Sequence, residues 1–98
     1  MAQIKDDKLL LSIALVLKEL REDMGVSQQD VYLETNVHIG RIETCKSNPS
    51  VSTIAVLLKY FRIKMSEFYI RVEKRQLITP YDDDNDDQFP FFHSHGKP

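Results

Sequence analysis

The sequence predicts an all-α fold: a compact bundle of five short helices, followed by a flexible acidic and aromatic C-terminal tail. Three observations carry this. Apolar residues recur at helical spacing in two stretches, Leu10, Ile13, Leu17, Leu20 and Met24, then Val51, Ile54, Leu57, Leu58 and Phe61. Helix-start residues precede such stretches, with Asp30 three places after Ser27 and Ser50 ahead of Val51. Helix stops follow them, Gly25 after the first stripe and Pro80 after the last basic run.

Residues 1–7 form a frayed lead, and the first helix is expected over about Lys8–Met24. Its core stripe faces one way, while Leu11 and Leu15, four apart, stack on the other side. Those two leucines are either scattered surface residues or a contact with a second subunit, the tail or a protein partner. Ser27 caps a second helix over about Gln28–Glu34, from which Tyr32 can reach the neighbouring helix or a phosphate. Thr35-Asn36 is the turn, because Asn tolerates the left-handed conformation at a helix end. A third helix is expected over about His38–Cys45, and Lys46-Ser47-Asn48-Pro49 is a loop with Asn48 held extended by the proline. The fourth helix runs from Ser50 to about Phe61. The fifth covers about Met65–Glu73, with Phe68 and Val72 closing the core. Arg71, Lys74 and Arg75 suit either the negative pole of that helix or a nucleic acid. Gln76–Thr79 either extends the helix or pairs as a strand with a second copy.

The chain divides into a folded domain, residues 1–79, and a tail, residues 80–98. The tail holds five Asp and one Lys, a charge of about −4 that leaves about +2 on residues 1–79. The basic excess begins at the third helix: residues 38–75 carry eight basic and three acidic groups, residues 1–37 four and seven. That asymmetry favours a polyanion on one side of the domain. No apolar run is long enough to span a membrane, and Asp6 and Asp7 interrupt any signal-peptide layout. A single cysteine forms no internal disulfide, so a reducing cytoplasm is the expected location.

Val26–Ser50 organises the rest. Val31, Val37, Ile39 and Ile42 turn inward, while His38, Gly40, Arg41, Thr44 and Lys46 project outward. Such a short, apolar-anchored helix with a small polar and basic face suits a DNA major groove. Gly25-Val26-Ser27-Gln28-Gln29, with Ile39, Ile42-Glu43, Lys46 and Asn48-Pro49-Ser50, resembles the helix-turn-helix of the Cro/CI-type, lambda-repressor-like XRE family over roughly Leu9–Tyr69. The start of the third helix is shortened by a few residues relative to that family, and Cys45 stands where the family usually has Gly. The resemblance implies a DNA-binding transcriptional regulator that binds double-stranded operator DNA as a homodimer. In it the second helix lies across the backbone and the third enters the groove.

Eight residues are candidates for DNA binding. Gln28, at the first turn of the second helix, offers its amide to a phosphate, a role the resemblance also gives it. Arg41 can grip guanine O6 and N7 or a phosphate, or hold structure as the family's Arg-Ile-Glu arginine. Asn36 and His38 stand at the tip that meets the groove first, and Asn suits adenine N6 and N7. Thr44, Lys46, Ser47 and Asn48 fit phosphate contacts. Glu43 would be repelled by DNA, so it is expected to pair with a nearby basic group or a loop amide.

Other chemistries fit poorly. Asp82, Asp84 and Asp86 resemble the start of an EF-hand loop, but Asp87 replaces the Gly and His93 the final Glu. His93 and His95 are two ligands, too few for a defined metal site. Cys45 and His38 lack a third catalytic group, and no phosphate-binding glycine loop exists, so neither an enzyme nor a cofactor is expected. The alternative function is an antitoxin or accessory interaction protein that uses the helix-turn-helix mainly for protein contacts. Phe89, Phe91 and Phe92 would then dock on an apolar groove such as one near Leu11 and Leu15.

Overall fold

The computed structural model describes residues 5–77. Its five helices are α1 (Asp7–Met24), α2 (Gln28–Thr35), α3 (Ile39–Glu43), α4 (Val51–Phe61) and α5 (Met65–Leu77). The lead at residues 1–4 and the tail with its aspartates, phenylalanines and histidines lie outside the described residues.

Asp6 starts α1 by accepting a hydrogen bond from the Leu9 amide at 3.0 Å. α1 then crosses α3, α4 and α5, and its stripe Leu10, Ile13, Leu17 and Leu20 is buried as the periodicity predicts. Burial extends further, to Ser12, Ala14 and Val16, because α5 packs along a second side of the helix. Leu11 is half-buried and Leu15 is exposed. Met24, expected in the stripe, is 40% exposed. The chain reverses at Gly25, φ +74°, and brings Val26 against the core in place of Met24. The amides of Gly25 and Val26 close that turn on the carbonyls of Glu22 and Arg21, which caps the helix end.

The same turn recurs without glycine. Arg62, φ +60°, ends α4 with its amide on the Lys59 carbonyl and the Ile63 amide on that of Leu58. Of the predicted α4 stripe, Ile54, Leu57, Leu58 and Phe61 are buried, whereas Val51 is 70% exposed. As the first residue of α4, it precedes the point where the helix meets the core. Phe68 and Val72 close the core from α5, which runs four residues beyond the expected end, so Gln76 and Leu77 extend the helix. Its basic end faces α1: Arg71 and Arg75 both pair with Glu19, the former at 3.4 Å.

Candidate nucleic-acid interface

α2 begins with a reciprocal cap. The Ser27 hydroxyl accepts from the Asp30 amide at 3.0 Å, and the Ser27 amide donates to Asp30 Oδ2 at 2.9 Å. The Ser27 amide, and after it the hydroxyl, hold the Asp30 carboxyl below the usual aspartate range. At the other end Asn36 takes φ +64°, as its residue type predicts, and donates its amide to the Tyr32 carbonyl at 2.7 Å. The Thr35 hydroxyl bridges the turn, donating to the Val31 carbonyl at 2.7 Å and accepting from the Val37 amide at 3.1 Å.

α3 is shorter at both ends than the predicted His38–Cys45. At His38, φ −80° and ψ +78°, the Ile39 amide bonds back to the Val37 carbonyl at 3.0 Å, an inverse γ-turn, so the helix starts one residue later. At the far end Cys45 itself takes φ +60°, and the amides of Cys45 and Lys46 close on the carbonyls of Ile42 and Arg41. The chain therefore leaves α3 through the left-handed turn that glycine usually makes, with a half-buried cysteine in its place.

Ile39 and Ile42 anchor α3 in the core, and Glu43 ties it to α1. Arg21 donates from Nε to Glu43 Oε2 at 2.7 Å and from Nη2 to Oε1 at 3.1 Å, a two-pronged ion pair, while its Nη1 caps the Val26 carbonyl at 3.0 Å. The Glu43 side chain is only 4% exposed. The hydrogen bond it donates to this carboxylate raises the Arg21 pKa further, against the opposing effect of burial. Gln28 Nε2 also donates to Glu43 Oε1, at 2.9 Å. The Gln28 side chain reaches it by crossing Gly40, where a Cβ would stand 2.8 Å from Gln28 Oε1. Gly40 is thus the gap through which α2 grips α3.

This arrangement leaves two open clefts, one on each side of α3. The first is bounded by Gln28, Tyr32, His38, Arg41, Thr44 and Lys46, the second by Asn36, His38, Arg41, Ser47, Asn48 and Thr53. All eight sequence-predicted residues therefore gather around one short helix, with His38 and Arg41 on the ridge between the clefts. Among the described residues no carboxylate lines either cleft, since Glu43, the one acid of α3, is turned inward. One Gln28 amide proton goes to Glu43, and the Thr44 hydroxyl donates to the Gly40 carbonyl at 2.8 Å. Of the two partners expected for Glu43, a basic group or a loop amide, the structure supplies the basic one, Arg21, which nothing in the sequence links to it. The sequence left Tyr32 between two roles, and the ring stacks on His38 with centroids 4.3 Å apart and planes at 23°. Among the described residues no group of His, Cys, Asp and Glu is placed to hold a metal ion, and no helix is long and apolar enough to cross a membrane.

Two helices joined by a tight turn, the second anchored by apolar residues and flanked by polar and basic clefts, define a helix-turn-helix DNA-binding domain. The helix-turn-helix family model matches residues 17–68, more than half of the chain. The chain belongs to that family, in its XRE, Cro/CI-type branch. It is similar to the HTH-type transcriptional regulator PuuR of Escherichia coli (strain K12), 34% identical over 68% of this chain and 40% of that protein. The same figures hold for PuuR of Shigella flexneri. The chain thus spans well under half the length of the curated relatives it matches. No solved structure gives a significant match.

Proposed function

We propose that this chain is a sequence-specific transcriptional regulator that binds a two-fold related operator as a homodimer and carries out no chemical step. The observation that carries the reading is the pair of clefts around α3, free of acid among the described residues, with Arg41 and Lys46 exposed beside them and Glu43 withdrawn. Arg41 and His38, on the ridge, face the base edges. Asn36 joins them from the turn. Lys46, Ser47 and Asn48 meet phosphates from the loop, as do Gln28 through its remaining amide proton and Thr44 if its hydroxyl rotates away from Gly40. α3 is about 7.5 Å long at 1.5 Å per residue, so it reaches few base pairs alone. A second copy binds the other half-site, about 34 Å away along the duplex. A DNA-bound regulator of this type works in the cytoplasm.

Fluorescence anisotropy across a salt series tests the reading. Arg41→Ala and Lys46→Ala are each expected to weaken binding, and Lys46→Ala to reduce the salt slope by about one counterion. Unchanged affinity and slope in both variants would remove α3 from the interface and favour the protein-contact reading.

A further inference from the structure

We infer that Tyr32 sets the base preference of the α2–α3 unit by fixing the ring of His38, so that His38 reads a base edge and Tyr32 is its positioning residue. The inference rests on the DNA-binding reading above and deepens it. His38 stands at the head of α3, exposed, on the ridge between the two clefts. Its backbone is pinned from both sides, by Val37 packed against the core, by buried Ile39 and by the γ-turn between them. The residue occupies the N-cap position yet its side chain makes no capping hydrogen bond, so the helix end does not orient the imidazole. Tyr32 does, through a near-parallel stack at 4.3 Å.

An exposed side chain usually loses rotamer freedom when it meets a ligand, and that loss weakens the contact. A ring already stacked has lost that freedom before DNA arrives, and its free edge is aimed. A stack of ordinary strength corresponds to roughly 2- to 12-fold in affinity. The effect belongs on sequence preference rather than on general affinity. A base contact distinguishes duplexes, whereas a phosphate contact strengthens all of them alike.

A double-mutant cycle measures this on the preferred duplex, selected from a random pool by the wild-type chain, and on a scrambled duplex of equal length. Tyr32→Ala is expected to lower the ratio of the two affinities roughly 2- to 12-fold. Tyr32→Phe, which keeps the stack, retains the ratio, and in a His38→Ala background Tyr32→Ala costs nothing more. Tyr32→Leu replaces the alanine variant if that one fails to fold. An equal loss on both duplexes, or an undiminished loss in the His38→Ala background, overturns the inference. A wild-type chain that selects no duplex ends the regulator reading and this inference with it. A wild-type preference without coupling between the two residues ends only the inference.

Discussion

Replacing Glu43 by Ala should destabilise the domain by about 3 kcal/mol. The carboxylate accepts three hydrogen bonds, two from Arg21 and one from Gln28, and the two ion-pair side chains are 14% and 4% exposed. Removing one member of a buried ion pair leaves the other charge uncompensated, which costs about 3–5 kcal/mol. Arg21 keeps the Val26 carbonyl and some access to water, which places the cost at the lower end. Domains hold roughly 0.05–0.15 kcal/mol per residue, so a domain of this size has about 4–11 kcal/mol to lose. Urea unfolding followed by far-UV circular dichroism reads the change directly. With an m-value of about 1 kcal/mol/M, the midpoint should fall by ~3 M. The double variant Arg21→Met with Glu43→Leu should recover much of the loss, because removing both charges also removes the cost of burying them. A loss below about 1 kcal/mol in Glu43→Ala, or a double variant as unstable as the sum of its singles, would refute the assignment of Arg21–Glu43 as the tie between α1 and α3.

Other predictions follow from the helix ends. A non-glycine residue in the left-handed region costs about 1–2 kcal/mol, partly offset by the extra chain entropy of an unfolded glycine. Cys45→Gly should therefore raise stability by about 0.5–1 kcal/mol in the same assay, whereas Cys45→Ala, which keeps a Cβ, brings no such gain. Asp30 has a folded pKa below its unfolded one, so its contribution is complete above the ordinary aspartate range and is lost as pH falls through the lower folded value. Acid titrations of wild type and Asp30→Asn should converge at low pH and separate above it. Parallel curves throughout would remove the capping box from the pH dependence.

Much of the fold was legible because its signals are local. Caps at Ser27 and Ser50, the stop at Gly25 and two apolar stripes place α1, α2 and α4 within about one residue. The start of α5 needs only the short link Arg62-Ile63-Lys64 after α4. Its end is open in the sequence, between Glu73 and an extension through Gln76, because no residue from Lys74 to Leu77 forbids helix. The failures are tertiary. Met24 and Val51 continue their stripes in sequence but lie at helix ends that the core does not reach, while Val16 is buried because a second helix covers its side of α1.

In the candidate site, residue chemistry chose a set that does come together, since polar and basic groups between apolar anchors on a short helix can only face outward. Glu43 was legible as an inward acid on charge alone. Arg21 was not legible as its partner, because that depends on how α1 crosses α3. Nor did the sequence reveal that Cys45 adopts the left-handed turn or that Gly40 leaves room for Gln28. Both depend on backbone geometry, which residue type constrains only weakly away from glycine and proline.

The most direct test of the central claim is selection from a randomised duplex pool by the 98-residue chain, with sequencing of the bound DNA at several salt concentrations. The expected result is an enriched two-fold symmetric motif whose half-sites lie about one helical turn apart, bound less tightly as salt rises. Recovery of no motif, with binding that depends on salt alone or is absent even for a chain cut at Pro80, would contradict it.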